Sequence, residues 1–265
     1  MPDLLITSPA NPRLKQVIAL RTRRGRTASG LTCVEGRDEL ALALGAGVLP
    51  RTLFHCAELM APGGGSVVDD VRTRGAETVA LGRAAFEKVA YREGPDGFLA
   101  VVASPGIALG DLEVAAGGLI LIAQAIEKPG NLGAMLRTAD AAGVAAVIAA
   151  DPVTDWGNPN VIRASKGTVF SVPVASADTA TTLTWLAERR YVLVATTPAT
   201  ELLHTQAELT GSIAVAVGAE KWGLDAAMLA AATIRVRIPM AGRADSLNAA
   251  TSAAIVLYEA IRQRG

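Results

Sequence analysis

The sequence predicts an α/β protein of two unequal domains, on three observations. Apolar runs of strand length alternate with segments whose apolar residues recur at helical spacing along most of the chain. Beyond residue 118 the strand-like runs are apolar nearly throughout, as in a parallel sheet covered by helices on both faces. Between the two regions, Ser104 to Gly118 mixes breakers with polar residues and reads as a linker.

Composition narrows the class. With 265 residues, 51% of them hydrophobic, and a mean hydropathy of +0.35, the chain can bury a sizeable core. Its 25 basic and 25 acidic residues balance, so a nucleic-acid partner would meet a local patch, not a global field. Cys33 and Cys56 lack metal-ligand spacing and read as reduced thiols, so no metal is expected. His55, next to Cys56 in a strand-like run, and His204, in a polar turn, read as structural or surface residues. No basic-then-apolar leader opens the chain, and no apolar run reaches the ~20 residues of a membrane span. A soluble, cytoplasmic protein without a membrane partner is expected.

The first thirty residues hold a basic run, Arg13, Lys15, Arg21, Arg23, Arg24 and Arg26. Leu14, Val17, Ile18 and Leu20 give residues 12–20 a helical stripe, and RTRRGRTASG reads as a flexible basic loop. Two readings stay open on these residues, a solvated amphipathic helix and a phosphate-contacting arm. From 31 to 103, strands at Thr32–Val34, Arg51–Cys56, Thr78–Ala80 and Phe98–Ala103 alternate with helices at Asp38–Leu44, Ser66–Arg74 and Ala84–Val89. The boundaries expected are 1–106 for a first domain, 107–117 for the linker and 118–265 for the second domain.

The second domain opens with an apolar run, Leu119 to Ile126, then the turn Glu127-Lys128-Pro129-Gly130-Asn131, then a helix from Leu132 to Ala142. Strands follow at Val144–Ala150, Val169–Ala175, Tyr191–Thr196, Ile213–Ala219 and Ile234–Met240. Helices are expected around Arg163 to Lys166, over Thr179–Arg190, and from Leu247 to Arg264 with Ser246 as N-cap. Three strand ends carry unusual groups: Asn131 with Arg137, Gly218 with Glu220, and Ser246 with Asn248. In a parallel sheet such ends converge on one rim, where ligands bind. The GNLG turn could receive an anion at a helix N-terminus but is neither a P-loop nor GxGxxG. No Ser-His-Asp order or HExxH is present, which disfavours hydrolytic and metal chemistry. The residues by themselves reach a nucleotide-like ligand bound at strand ends.

A resemblance extends that reading. EKPGNLGAMLRTADAAG (127–143), VGAEKWGL (217–224) and IPMAGRADSLNAATSAAIVLYEA (238–260) resemble, in order, the three motifs of the SpoU (TrmH) branch of the SPOUT superfamily. NPNVIRASKGTVFSVPV (158–174) resembles a further family segment, while ITSPANPRLK (6–15) and VEGRDELALALGAG (34–47) resemble the small substrate domain of rRNA-directed members. Ala249 and Ala250 depart from the family pattern after Asn248, and Lys221-Trp222 is atypical of its second motif.

The resemblance implies a trefoil-knotted methyltransferase domain preceded by a smaller ribosomal-protein-like α/β domain. It implies S-adenosyl-L-methionine (AdoMet) as cofactor, held around Thr196, Gly218, Ile238, Met240, Ser246 and Leu247. The implied reaction is 2′-O-ribose methylation of structured RNA, large-subunit rRNA above all, whether housekeeping or protective against an antibiotic. Arg137, Asn131, Glu220 and Asn248 are the implied catalytic group, with Glu220 placed to brace Asn131. Arg13, Lys15, Arg23, Arg24, Arg26 and Arg163 become RNA contacts, and the last helix becomes part of a homodimer interface. A non-catalytic RNA-binding or ribosome-assembly factor that kept the fold is the alternative.

Overall fold

The computed structural model describes residues 4–265, and two compact units emerge. The first comprises residues up to Pro105 together with Asp155–Ser171; the second comprises Gly106–Thr154 and Val172–Gly265.

In the first unit, β1 (Leu4–Ile6), β2 (Leu31–Glu35), β3 (Thr52–His55), β4 (Glu77–Leu81) and β5 (Phe98–Ala103) form a mixed sheet in the order β1-β4-β3-β5-β2. Around it lie α1 (Pro12–Ala19), α2 (Arg23–Ser29), α3 (Arg37–Gly45), α4 (Gly64–Thr73) and α5 (Arg83–Val89). Leu14, Val17 and Leu20, the stripe expected of the first helix, are buried with Phe54, Val79 and Phe86.

The expected basic loop is instead a helix. Thr22 caps α2 by accepting a hydrogen bond from the Gly25 amide, and Gly30 ends it at φ 66°. Arg26 faces inward: its Nε donates to Asp155 Oδ1 at 2.8 Å, and Nη1 donates to the Leu20 and Arg21 carbonyls. It is 4% exposed, which corrects its expected role as an RNA contact.

The second unit is one parallel sheet. Its strands are β6 (Ile107–Ala108), β7 (Leu119–Gln124), β8 (Ala146–Ala150), β9 (Val174–Ala177), β10 (Val192–Thr196), β11 (Ile213–Val217) and β12 (Ile234–Val236). They run in the order β12-β10-β11-β7-β8-β9-β6. The helices α6 (Pro129–Ala141), α8 (Thr179–Glu188), α9 (Ala226–Ala231) and α10 (Ala249–Arg264) cover it, while α7 (Pro159–Ala164) belongs to the first unit. Because side chains alternate across a strand, Ile120, Ile122, Ile148, Ala195 and Ala216 meet Trp185 and Met228 on one face. On the other, α10 packs against both α6 and β11.

Three expectations change here. The stretch read as a linker is part of the second unit: Ile107–Ala108 pairs with β9, and Leu109 and Leu112 enter the core. Asp155–Ser171 sits with the first unit, where Thr32 Oγ1 donates to the Gly157 carbonyl and Asn160 Nδ2 to Tyr91 Oη at 3.0 Å. The strand expected at 169–175 is a short 3-10 turn at Thr168–Phe170 followed by β9, because Val169 and Val172 are buried by packing rather than by pairing.

Candidate active site

From β7 the chain moves one way, to β8 and β9, whereas β11 on its other side belongs to the later half of the chain. The order therefore switches between β7 and β11, and the crevice beyond their carboxyl ends is where an open α/β sheet places its ligand. The loops leaving these strands hold residues 125–131 and 218–224. A cleft of about 360 Å³ lies there, lined by Ile126, Glu127, Lys128, Asn131, Glu220 and Lys221.

Asn131, Glu220 and Asn248 meet at this point. Asn131 Nδ2 donates to Glu220 Oε1, which also accepts from Asn248 Nδ2 at 3.1 Å. Asn248 Nδ2 reaches Asn131 Oδ1 as well, at 3.0 Å. Glu220 Oε2 completes the cluster by pairing with Lys128 Nζ at 2.8 Å. The Lys128 ammonium donating to it, aided by the Asn131 amide, holds the Glu220 carboxyl below the usual carboxylate value. The same pair raises Lys128. Each functional group is thus spent on another strand-end loop, so the cluster ties the three segments together.

Asn248 has a second task. Its Oδ1 accepts from the Ala250 amide at 2.9 Å, making it the N-cap of α10. That corrects the cap expected at Ser246, whose hydroxyl lies 3.0 Å from Asp245 Oδ1 in an exposed loop. Ala249 and Ala250 are buried in the first turn that Asn248 opens.

Arg137 stands apart from this cluster. Six residues beyond Asn131 on one helix, it lies roughly 9 Å along the axis and about 120° around it. It is exposed, and no hydrogen bond or ion pair among the described residues engages its side chain. Helical side chains lean toward the N-terminus, and the positions beneath Arg137 are Gly130, Gly133 and Ala134. A lane free of long side chains therefore runs from the guanidinium along the helix toward the N-terminal end of α6.

Gly218 is required by the folding of its own loop. A Cβ there would lie 2.1 Å from the Gly223 carbonyl carbon, because the loop folds back so that the Gly223 amide donates to the Ala219 carbonyl at 2.8 Å. Thr196 uses its hydroxyl on the Ala216 carbonyl at 2.8 Å. Ile238 and Leu247 are half-buried and Met240 is 36% exposed. Of the expected RNA contacts, Lys15, Arg23, Arg24 and Arg163 are exposed, whereas Arg13 is engaged by Glu77 and lies against the Phe54 ring.

Beneath the cleft, two residues gave no sequence signal. Gln124 is buried; its Nε2 donates to Thr179 Oγ1 at 2.6 Å and its Oε1 accepts from the Asp225 amide at 2.9 Å. Ala125 follows it at φ 52°, and its amide donates to the Ala150 carbonyl at 2.9 Å.

Residues 118–258 match the model of the SpoU rRNA Methylase family, and residues 11–100 match an MRM3-like substrate binding domain. The chain belongs to the SpoU rRNA methylase family. The SpoU match takes in Asn131, Arg137, Glu220 and Asn248. It also spans Asp155–Ser171, which packs in the first unit. Among relatives, the 23S rRNA (guanosine(2553)-2′-O)-methyltransferase RlmP of Bacillus subtilis is 30% identical over 253 residues, 96% of this chain and 97% of that one. An RNA 2′-O ribose methyltransferase of known crystal structure is 41% identical, at a TM-score of 0.85 over 98% of this chain and 99% of that one. The SpoU methyltransferase AviRb from Streptomyces viridochromogenes, solved with AdoMet, is 31% identical at a TM-score of 0.87, covering 96% of this chain and 98% of that one.

Proposed function

We propose that this chain transfers the methyl group of AdoMet to a ribose 2′-hydroxyl of structured RNA, its substrate being 23S-type rRNA. The observation that carries the reading is the union of Asn131, Glu220 and Asn248 at the switch point of the sheet. It brings three segments of the SpoU match to one cleft. Likeness over nearly full length to a 23S rRNA 2′-O-methyltransferase and to an AdoMet complex supports the chemistry.

Residues 238–247 fit the cofactor. They form neither strand nor helix, and no backbone–backbone hydrogen bond among the described residues engages their peptide groups. Open peptide donors and acceptors beside Ile238, Met240 and Leu247 suit a purine, whose edge is polar and whose faces are apolar. When bound, AdoMet supplies a methyl group activated by its sulfonium.

The protein's own residues then divide the work. Asn131, Glu220, Asn248 and Lys128 hold the loops in register, so they are positioning residues. Arg137 clamps the RNA: a guanidinium has no lone pair free to take up a proton and is a poor base, but it donates bidentate hydrogen bonds to phosphate and stabilises a developing alkoxide. Lys15, Arg23, Arg24 and Arg163 add phosphate contacts on the first unit. The packing of α10 on α6 and β11 is consistent with the family's trefoil knot. Ala253, Val256 and Leu257 are buried within the unit, which leaves Ile255, Tyr258 and Ile261 as the α10 face open to a second copy. An rRNA-modifying activity belongs in the cytoplasm, and among the described residues no helix is long and apolar enough to cross a membrane.

The test is incubation of the protein with labelled AdoMet and unmodified 23S rRNA transcript, followed by mapping of alkali-resistant linkages. Label at one ribose is the expected result. Neither transfer nor calorimetric AdoMet binding would leave the non-catalytic RNA-binding reading instead.

A further inference from the structure

Trp222 has no task in the mechanism above. It is 74% exposed, more than any other large hydrophobic side chain among the described residues, while Trp156 and Trp185 are buried. Its loop is tightly built. The Ala219–Gly223 bridge closes it, and the lack of a side chain at Gly218 lets the two ends touch. Glu220 is held by Lys128, Asn131 and Asn248, and the two residues that follow it stand exposed. Lys221 lines the cleft with Asn131 and Glu220, and its ammonium lies 4.5 Å from the centre of the Trp222 ring. An indole held in water against the ammonium of a residue that lines the cleft is a costly arrangement unless something covers it.

We propose that Trp222 is a stacking platform for an unpaired nucleobase of the substrate RNA next to the target ribose, with Lys221 engaging a neighbouring phosphate. The inference rests on the RNA-methylation reading and names the part of this chain that selects the substrate. Sequence-specific RNA recognition uses splayed bases stacked on aromatic side chains. Lys221 suits RNA better than a protein partner: it lines the cleft with Glu127, Lys128 and Glu220, of which Lys128 and Glu220 pair with each other, and protein interfaces are depleted of lysine at their cores.

The experiment compares the full-length protein with Trp222→Ala, Trp222→Phe and Lys221→Ala. Affinity for unmodified 23S rRNA transcript is measured at several salt concentrations, together with methylation kinetics, calorimetric AdoMet binding and sedimentation. Trp222→Ala is expected to raise the Kd and KM for RNA roughly 5- to 150-fold, the range of one base–aromatic stack, with AdoMet affinity held within about twofold. Trp222→Phe recovers most of the loss. Lys221→Ala reduces the salt slope by about one phosphate contact, and Trp222→Ala leaves it unchanged. Unaltered RNA affinity in Trp222→Ala overturns the inference. So does a loss accompanied by dissociation of an oligomer, which makes Trp222 a subunit contact. If the wild-type protein methylates no rRNA, the underlying reading fails before any variant is compared.

Discussion

Asn248 donates a hydrogen bond to Asn131 at 3.0 Å across 117 positions of sequence, while the same side chain caps α10 through its oxygen. One carboxamide therefore couples the start of the last helix to the first turn of α6. Its two halves can be separated by mutation.

Asn248→Asp keeps the oxygen that accepts from Ala250 and removes the amide that reaches Asn131 and Glu220. Asn248→Ala removes both. Loss of an N-cap costs about 1 kcal/mol, so the alanine variant should melt lower than the aspartate one. Methylation should fall in both, because each loses the amide that ties Asn131 to Glu220, and in Asn248→Asp a carboxylate would also face that of Glu220. Retained turnover in Asn248→Asp would show that the cluster does not position the site.

Glu220 makes the cluster sensitive to acid. Lys128 and Asn131 favour its carboxylate, so its folded pKa lies below the ordinary value of 4.5. The contribution is fully present above about pH 4.5 and is lost as the pH falls through the lowered value. AdoMet affinity should therefore hold across neutral pH and weaken on the acid side. In Glu220→Gln, which lacks the titrating group, that acid limb should flatten, as calorimetry at stepped pH would reveal.

The buried Arg26 reverses a prediction that its basic neighbours invite. Arg26→Ala removes a buried guanidinium together with its ion pair to the half-buried Asp155 and its bonds to two carbonyls, and should destabilise the first unit by about 2 kcal/mol. The salt dependence of RNA binding should stay as in the wild type. Arg24→Ala should do the opposite, lowering the salt slope while leaving the urea midpoint in place.

Arg26 also shows where the sequence was legible. The strands at 119–124, 192–196 and 213–217 announced themselves because they are apolar up to their last residues, Gln124 and Thr196 being the polar ends of the first two, as a doubly covered parallel sheet asks. Asn131, Glu220 and Asn248 were legible as strand-end polar groups. What stayed hidden depended on tertiary partners. RTRRGR has no apolar stripe, so its helix comes from the Thr22 cap and from Arg26 reaching Asp155. Asp155–Ser171 continues the chain of the second unit yet packs in the first, which no local pattern encodes. Ser246 and Asn248 are equally good caps by type, and the Asn131 contact favours the latter.

Ala125 carries a backbone angle that glycine adopts freely. At φ 52° an L-residue pays about 1–2 kcal/mol, whereas introducing glycine costs about 0.4–1 kcal/mol through the unfolded chain. Ala125→Gly should therefore stabilise the protein by about 1 kcal/mol in urea unfolding. Ala125→Val should destabilise it, because branching at Cβ worsens the same clash.

Arg137 gives the sharpest separation of binding from chemistry. It lies outside the Asn131–Glu220–Asn248 cluster and outside the segment that fits the cofactor, so Arg137→Ala should leave AdoMet binding nearly intact while methyl transfer is lost. Arg137→Lys keeps the charge but not the planar fork, and should recover RNA affinity more than turnover. Bulk placed in the lane beneath the arginine should act in the same direction: Gly130 has open space around the position of a Cβ, so Gly130→Leu would fit sterically while obstructing the guanidinium. Single-turnover methylation of 23S rRNA is the measurement. A Gly130→Leu enzyme with the wild-type rate would show that Arg137 does not work along that lane.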